Sequence, residues 1–529
     1  MAPPFKQTFA DTIYSRFFKG GIAVVLTAGA VWGALLLLRI AFAGSFTAIS
    51  IHEINAHGHA QIFGWVGLFV MGFAYQAFPR MLHTSLRRPD LANLSFYLMI
   101  TGILARVVGE PLHEIAVLKT LAFAGAVAEI AAIGLFVAVI LSTHRQASPA
   151  WRWADAYIGA ALGFFFIQAV YELALLAGTT SAASRDALLS IVATFQAPLR
   201  DLQIHGFALF IILGVSLRMV PALFGLRERS TRLAKAAWFL LLAGVLGEIA
   251  VYITMRLAEN RVWAAPWYAA IFCLATACVL LTWRWLPFFR PGEPDRSAKF
   301  VQTAMIWLNL SMLMLLLAPV YTYALLPAVK NLSAGGRQAA EIGFSHAYYG
   351  AIRHAITVGF ISLMILGMGA KVVPTLKGID IRRLRALWVP FVLVNLGCAM
   401  RVGFQVSTDF TQATYSLVGV SGLLEVTGIA VWGVHLWRIL NGWAPGEELA
   451  RAQVSLPITP EDRVGAVVGC FPETLGVFKR HGFTPLANPI LRRTVARSVT
   501  LRTAAAYRSR NVDALVAELN QAAAHKSGP

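Results

Sequence analysis

The sequence predicts an all-α polytopic membrane protein: about twelve transmembrane helices in three four-helix pseudo-repeats, followed by a small soluble helical domain. Three observations carry that expectation. Of the 529 residues 57% are hydrophobic and only 13% charged, and roughly twelve apolar runs reach the ~20 residues that a bilayer crossing needs. One motif is written three times: His59-x4-Gly64-x7-Gly72-x6-Pro79, Asp201-x4-Gly206-x7-Gly214-x6-Pro221 and His354-x4-Gly359-x7-Gly367-x6-Pro374. Arg and Lys gather after even-numbered runs, as at Arg80, Arg87 and Arg88, at Arg227, Arg229 and Arg232, at Arg290, and at Lys377, Arg382 and Arg383. The loop at 44–56 carries none.

In order, the spans fall near 20–43, 57–79, 91–108, 119–142, 154–177, 200–221, 233–254, 265–288, 300–324, 346–373, 385–403 and 413–440. Lipid satisfies no backbone groups, so each run closes its own hydrogen bonds as a helix; the runs are too long and evenly apolar for barrel strands. The first is full span length with no small-residue cleavage site, so it is expected to stay as an anchor. The repeat units fall at about 1–145, 150–290 and 297–441, each with an even number of spans, so all three enter from the same side. Gly102-x3-Arg106-Val107 in the third span is echoed by Gly397-x3-Arg401-Val402 in the eleventh, and Glu129 in the fourth by Glu425 in the twelfth. The membrane domain is therefore placed at 1–441, a linker with Pro445 and Gly446 at 442–456, and a small helical domain at 457–522. In that domain Thr459-Pro460-Glu461-Asp462 and Asn511-Val512-Asp513 read as helix starts.

The net charge of +19 reports topology. Its distribution follows the positive-inside bias, which puts both termini in the cytoplasm of a bacterial inner membrane and the basic loops against anionic lipid. Nucleic acid is not an expected partner. The cysteines Cys273, Cys278, Cys398 and Cys470 make no disulfide framework.

The chemistry concentrates at the outer ends of the second, sixth and tenth spans. His57 and His59 are two apart, hence about 200° apart around a helix, and suit two centres on opposite sides of it. His205 and Asp201 are four apart and share a helical face, a spacing for two ligands of one metal or for an Asp that orients a His. His346 and His354 straddle the start of the tenth span, and His52 and Glu53 precede the second. Imidazole is the usual axial ligand of haem and suits copper and iron. The candidate cofactor-binding residues are His59, His354, His57, His205 and His346; the candidate metal ligands are His59, His205, His354 and Asp201. Glu129 and Glu425, inside apolar spans, are candidates for passing protons, with helix-to-helix hydrogen bonding as the structural alternative. Arg106 and Glu110, four apart, are placed to pair. The motif glycines read as helix-packing surfaces, and Pro79, Pro221 and Pro374 as helix ends or kinks. His83, His113, His144, His435 and His525 lie near span ends or in the tail and carry no functional expectation.

Histidines on the second, sixth and tenth of twelve spans resemble the core subunit of haem-copper oxidases and nitric oxide reductases. The stretches RHAITVGFISLMILGMGAKVVPTLKG (353–378) and HGHAQIFGWVGLFVMGFAYQAFPRM (57–81) resemble the NnrS family of bacterial membrane proteins. That resemblance implies haem and copper, with non-haem iron as the alternative metal, and a role in nitric oxide response or denitrification. The chain departs from the oxidase pattern: the seventh span has no His-His pair, and Leu209 stands where a Tyr would follow His205. The tail at 472–501 is similar to a small helical domain found in redox proteins and at the start of iron–sulfur cluster repair proteins. Where some relatives carry a Cys pair, this chain reads Thr484-Pro485-Leu486-Ala487. His481 reads as a surface residue.

These readings lead to a membrane haem or metal protein that binds nitric oxide or a similar small gas at a multi-histidine site near the periplasmic side. The first alternative is a membrane oxidoreductase of the nitric oxide reductase type, supplied by a quinol or cytochrome donor. The second is a cofactor-free, proton-coupled transporter.

Overall fold

The computed structural model describes residues 12–226, 228–283, 295–381, 384–443, 454, 456–483, 486, 499–507 and 510–524. Arg227, Arg290, Arg382, Arg383, Pro445, Gly446, Thr484, Pro485, Ala487 and His525 lie outside the described residues. The chain forms two compact units, Met1–Leu440 and Asn441–Pro529.

Twelve helices of the first unit are long and apolar enough to cross a membrane: α1 Tyr14–Ala43, α2 Ile51–Met81, α3 Pro89–Gly109, α4 Ala116–Ala147, α5 Trp153–Thr180, α6 Arg185–Phe224, α7 Thr231–Leu257, α8 Ala264–Thr282, α9 Ala298–Ala328, α10 His346–Leu376, α11 Trp388–Ser407 and α12 Gln412–Leu440. Two begin well before the apolar window. Helix α2 starts at Ile51, where Ser50 and Glu53 form a reciprocal capping box, so His52 and Glu53 belong to the helix rather than to the loop before it. Helix α6 starts at Arg185, capped by the Ser184 side chain, about four turns before the expected 200. Hydropathy underestimates it because those turns carry polar side chains such as Gln196 and Arg200, which are buried among neighbouring helices.

The three units repeat in detail. In each, the third and fourth helices pack most extensively against each other: α3 on α4, α7 on α8, α11 on α12. The motif glycines on α2, α6 and α10 are seats for the first helix of the same unit. A Cβ on Gly72, Gly214 or Gly367 would stand 2.6, 2.6 or 2.9 Å from the Cβ of Phe17, Tyr157 or Phe300. Eight residues earlier, about two turns, Gly64, Gly206 and Gly359 receive Val24, Phe164 and Trp307. Without a hydrophobic drive between helices in lipid, such close approach supplies the van der Waals contact that holds them. Immediately after the residue that opens each motif copy, all three helices widen to π-helical turns, over Ala60–Gly67, Leu202–Leu209 and Ala355–Ser362. Leu68 N–H thus donates to the Phe63 carbonyl, and Leu363 N–H to that of Val358. The prolines stop the helices rather than kink them: the carbonyls of Pro79, Pro221 and Pro374 accept from the N–H of Thr84, Leu226 and Ile379 at 2.9, 3.1 and 2.9 Å, five residues on.

Between α11 and α12, the Asp409 carboxylate accepts from Tyr321 on α9 (2.8 Å) and from Ser345, which caps α10 (2.5 Å). Burial pushes the Asp409 carboxyl above the ordinary carboxylate range, and these two donors oppose the rise.

In the second unit, α13 (Val464–Cys470), α14 (Leu475–Arg480), α15 (Leu501–Tyr507) and α16 (Val512–Ala524) enclose a core around Val467, Phe478, Leu501, Leu515 and Leu519. Asn511 caps α16 through Asp513 N–H (2.9 Å). Thr459–Asp462 is a turn ahead of α13 rather than its first turn, because Asp462 accepts from the Thr459 N–H (2.7 Å). His481 is partly buried, with Nε2 3.0 Å from Glu518. Cys273, Cys278 and Cys398 carry free thiols.

Candidate functional site

A cavity of about 350 Å³ lies among α1, α2, α6, α10, α11 and α12, and it gathers many of the polar side chains that hydropathy alone would forbid there. His57 from α2 and His354 from α10 both line it. So do three guanidiniums, Arg200 from α6, Arg353 from α10 and Arg401 from α11, against one carboxylate, Glu425 from α12. Its remaining wall along α1 and α12 is apolar, with Ala34, Leu37, Ile40 and Ile429.

Each polar group is placed by a specific local device. The His57 ring lies against Gly33, where any Cβ would collide with it, and its Nδ1 is 3.1 Å from the Gly29 carbonyl, at the end of a π-helical turn in α1. A carbonyl acceptor fixes the proton on Nδ1 and leaves Nε2 with a free lone pair. His354 Nε2 is 3.2 Å from Glu425 Oε2. Arg200 donates to Gln203 Oε1 (2.8 Å) and to Asn55 Oδ1 (3.0 Å), and its guanidinium lies 3.3 Å from where a Cβ on Gly58 would stand. The glycine of His57-Gly58-His59 is thus the gap through which α6 reaches α2. Arg353 stacks over the Tyr349 ring at 4.6 Å and stands 3.7 Å from Asp201. Arg401 is buried, and its Nε and Nη1 have no hydrogen-bond partner.

His59 lies elsewhere. It is fully buried with Nε2 2.7 Å from Glu129 on α4 and Nδ1 3.0 Å from Glu172 on α5, so both ring nitrogens are engaged by carboxylates. Arg106 joins this cluster, 2.8 Å from Glu110 and 3.3 Å from Glu172. Gln203 links it back to the cavity by donating to Glu172 at 2.6 Å. His57 and His59 therefore serve different surroundings, α1 on one side and α4 with α5 on the other.

The remaining expected residues are spread out. His205 Nδ1 is 2.7 Å from Glu248 on α7. Asp201 accepts from the Tyr349 hydroxyl at 3.2 Å. His346 is exposed on the first turn of α10, edge-on to Phe344 at 5.0 Å. His52 is buried beside His113, with ring centroids 3.9 Å apart. Among the described residues no group of three or more His, Cys, Asp and Glu side chains is arranged to hold a metal ion. Sequence reasoning missed Arg200, Gln203 and Arg353; the signal available was a polar run, Arg200-Asp201-Leu202-Gln203, inside an apolar span.

The model of the NnrS protein family matches residues 14–442, the whole of the twelve-helix unit. The chain belongs to the NnrS family. A second family model, a domain of unknown function (DUF1858), matches residues 458–516. No curated protein matches this chain. NnrS membership supports a membrane protein with a nitric oxide-related function, and the NnrS match covers all the cavity-lining residues, from Ala30 to Ile429.

Proposed function

We propose that this NnrS-family chain is a bacterial inner-membrane haem protein of nitric oxide response, with both termini cytoplasmic and the histidine cavity as its haem site. One observation carries the reading: a single cavity presents two imidazoles from separate helices and three guanidiniums, with His57 Nδ1 already engaged by a backbone carbonyl.

The residues fit haem. His57 offers Nε2 as the iron ligand, and the Gly29 carbonyl holds the ring. The Nε and Nη1 of buried Arg401, without a hydrogen-bond partner among the described residues, suit a carboxylate, and haem brings two. Arg200 and Arg353 add positive charge to the same cavity, and the apolar wall of α1 and α12 suits the macrocycle edge. When bound, haem would supply an iron able to bind nitric oxide. His354, held by Glu425, is the second nitrogen donor of the cavity. The gas reaches it through lipid.

A membrane oxidoreductase with a quinol or cytochrome donor is the second reading. One observation favours it: the buried acid–base groups His59, Glu129 and Glu172 connect through Gln203 to the cavity wall.

The test is an optical spectrum of the purified protein, oxidised, reduced, and reduced with nitric oxide, with iron and copper measured on the same sample. The expected result is a Soret band that shifts with nitric oxide and is lost in His57→Ala. A colourless, metal-free protein from haem-replete cells overturns the proposal and leaves a proton-coupled transporter as the better account of the buried His–Glu pairs.

A further inference from the structure

A second cavity, of about 110 Å³, sits between the same three motif helices. The histidine cavity touches α2 as far as Val66, α6 as far as Ile204 and α10 as far as Ser362. The second begins at Phe69, Ile211 and Met364 on those helices and runs toward their proline ends. The two are stacked along one set of helices.

Their linings are opposite in character. The second cavity contains no charged side chain, and the hydroxyl of Ser216 is the only polar side-chain group among its lining residues. Water needs two or more polar partners to be held, and an apolar cavity of the order of 150 Å³ stays dry and accepts guests the size of xenon or benzene. The space here is of that order and partly open to its surroundings, so the part of a guest held inside it has only a few heavy atoms.

An aromatic partition stands between the two. Trp65 lines the histidine cavity and Phe69 lines the chamber, with ring centroids 4.7 Å apart. Trp432 packs edge-on against Trp65 at 5.9 Å. Both indoles are tethered, Trp65 Nε1 to Ser362 Oγ and Trp432 Nε1 to the Leu366 carbonyl, each at 3.0 Å.

We propose that this chamber binds a small apolar gas of diatomic size and passes it across Trp65 to the histidine cavity. The identity of the gas as nitric oxide, and its destination at a haem iron, rest on the proposed function; binding in the chamber does not. A neutral diatomic dissolves in lipid and loses little by entering an apolar space.

Xenon is the probe. Crystals of the full chain under xenon pressure should show an electron-density peak between Phe73, Ile212 and Ile365, and Ala74→Phe and Val215→Phe, which fill the chamber from α2 and α6, should each abolish it. Recombination of nitric oxide after photolysis from the reduced protein should slow severalfold in both variants, with the Soret band unchanged. If either variant fails to fold, the xenon peak in the unaltered protein still decides. No xenon in the chamber, or a detergent or lipid tail there instead, overturns the inference while leaving a nitric oxide-binding haem intact. Xenon bound with unchanged recombination overturns the passage across Trp65. A haem-free protein that still takes xenon sinks the proposed function and not the chamber.

Discussion

Gly58 separates two histidines whose neighbours assign them different work. His57 turns toward α1 and the cavity, with one nitrogen satisfied by a carbonyl and the other free. His59 turns toward α4 and α5, with both nitrogens satisfied by carboxylates. The same substitution at the two positions should therefore fail in different ways. His57→Ala removes the proposed iron ligand and should yield a folded protein with little haem, read from the ratio of Soret to protein absorbance. His59→Ala leaves Glu129 and Glu172 facing each other without the ring between them. Removing one partner from a buried charged group costs about 3–5 kcal/mol, so that variant should lose thermal stability while the protein that remains folded keeps its Soret band. Equal haem loss without destabilisation in His59→Ala would instead make His59 a ligand. His59→Gln, which retains hydrogen-bonding capacity toward both carboxylates, should recover part of the stability.

At the scale of the element, the repeated motif is a packing device first. Phe17 and Val24, Tyr157 and Phe164, Phe300 and Trp307 are each seven apart on the first helix of their unit, and each pair fills the two glycine seats opposite. A Cβ on Gly359 would stand 2.5 Å from Trp307 Cγ, and Trp307 cannot retreat freely because its Nε1 donates to Asn395 at 3.0 Å. Gly359→Val should cost about 1–3 kcal/mol by overpacking, measured as a fall in thermal midpoint in detergent. No fall would mean that α9 moves aside at little cost. The glycines and prolines of the motif were legible in the sequence because their spacing repeats. Their partners were not, because the complementary residues differ in identity from unit to unit and share only the seven-residue interval. The π-helical turns left no trace in composition.

Across the whole molecule the units keep one geometry and vary its chemistry. Gly102, Gly244 and Gly397 each accept the close approach of a following helix, through Gly125, Ala270 and Ser421. Four residues after these glycines stand Arg106, Glu248 and Arg401; four after the approached residues stand Glu129, Leu274 and Glu425. The first and third units therefore pair the opening histidine with an acid on their fourth helix, His59 with Glu129 and His354 with Glu425. The middle unit carries its acid on the third helix instead, and pairs it with His205 rather than with Asp201. Equivalence places the three motif helices at one level, and His59, His205 and His354 each meet an acid of their own unit there. What joins the units is the cavity, and it draws its imidazoles from the first and third only.

All of that architecture lies within Met1–Leu440, while the C-terminal unit closes its own core around Phe478, Leu501, Leu515 and Leu519. A chain ending at Gly442 should accordingly fold in the membrane, retain the full unit's thermal midpoint, and show the same Soret band and nitric oxide shift per protein. The measurement is a side-by-side purification of full-length and truncated protein with spectra and a thermal melt. A colourless truncated protein that still melts cooperatively would mean that the C-terminal unit is needed to load or retain haem. Loss of the melt itself would mean that the membrane unit is not self-sufficient, against the closed packing of its twelve helices.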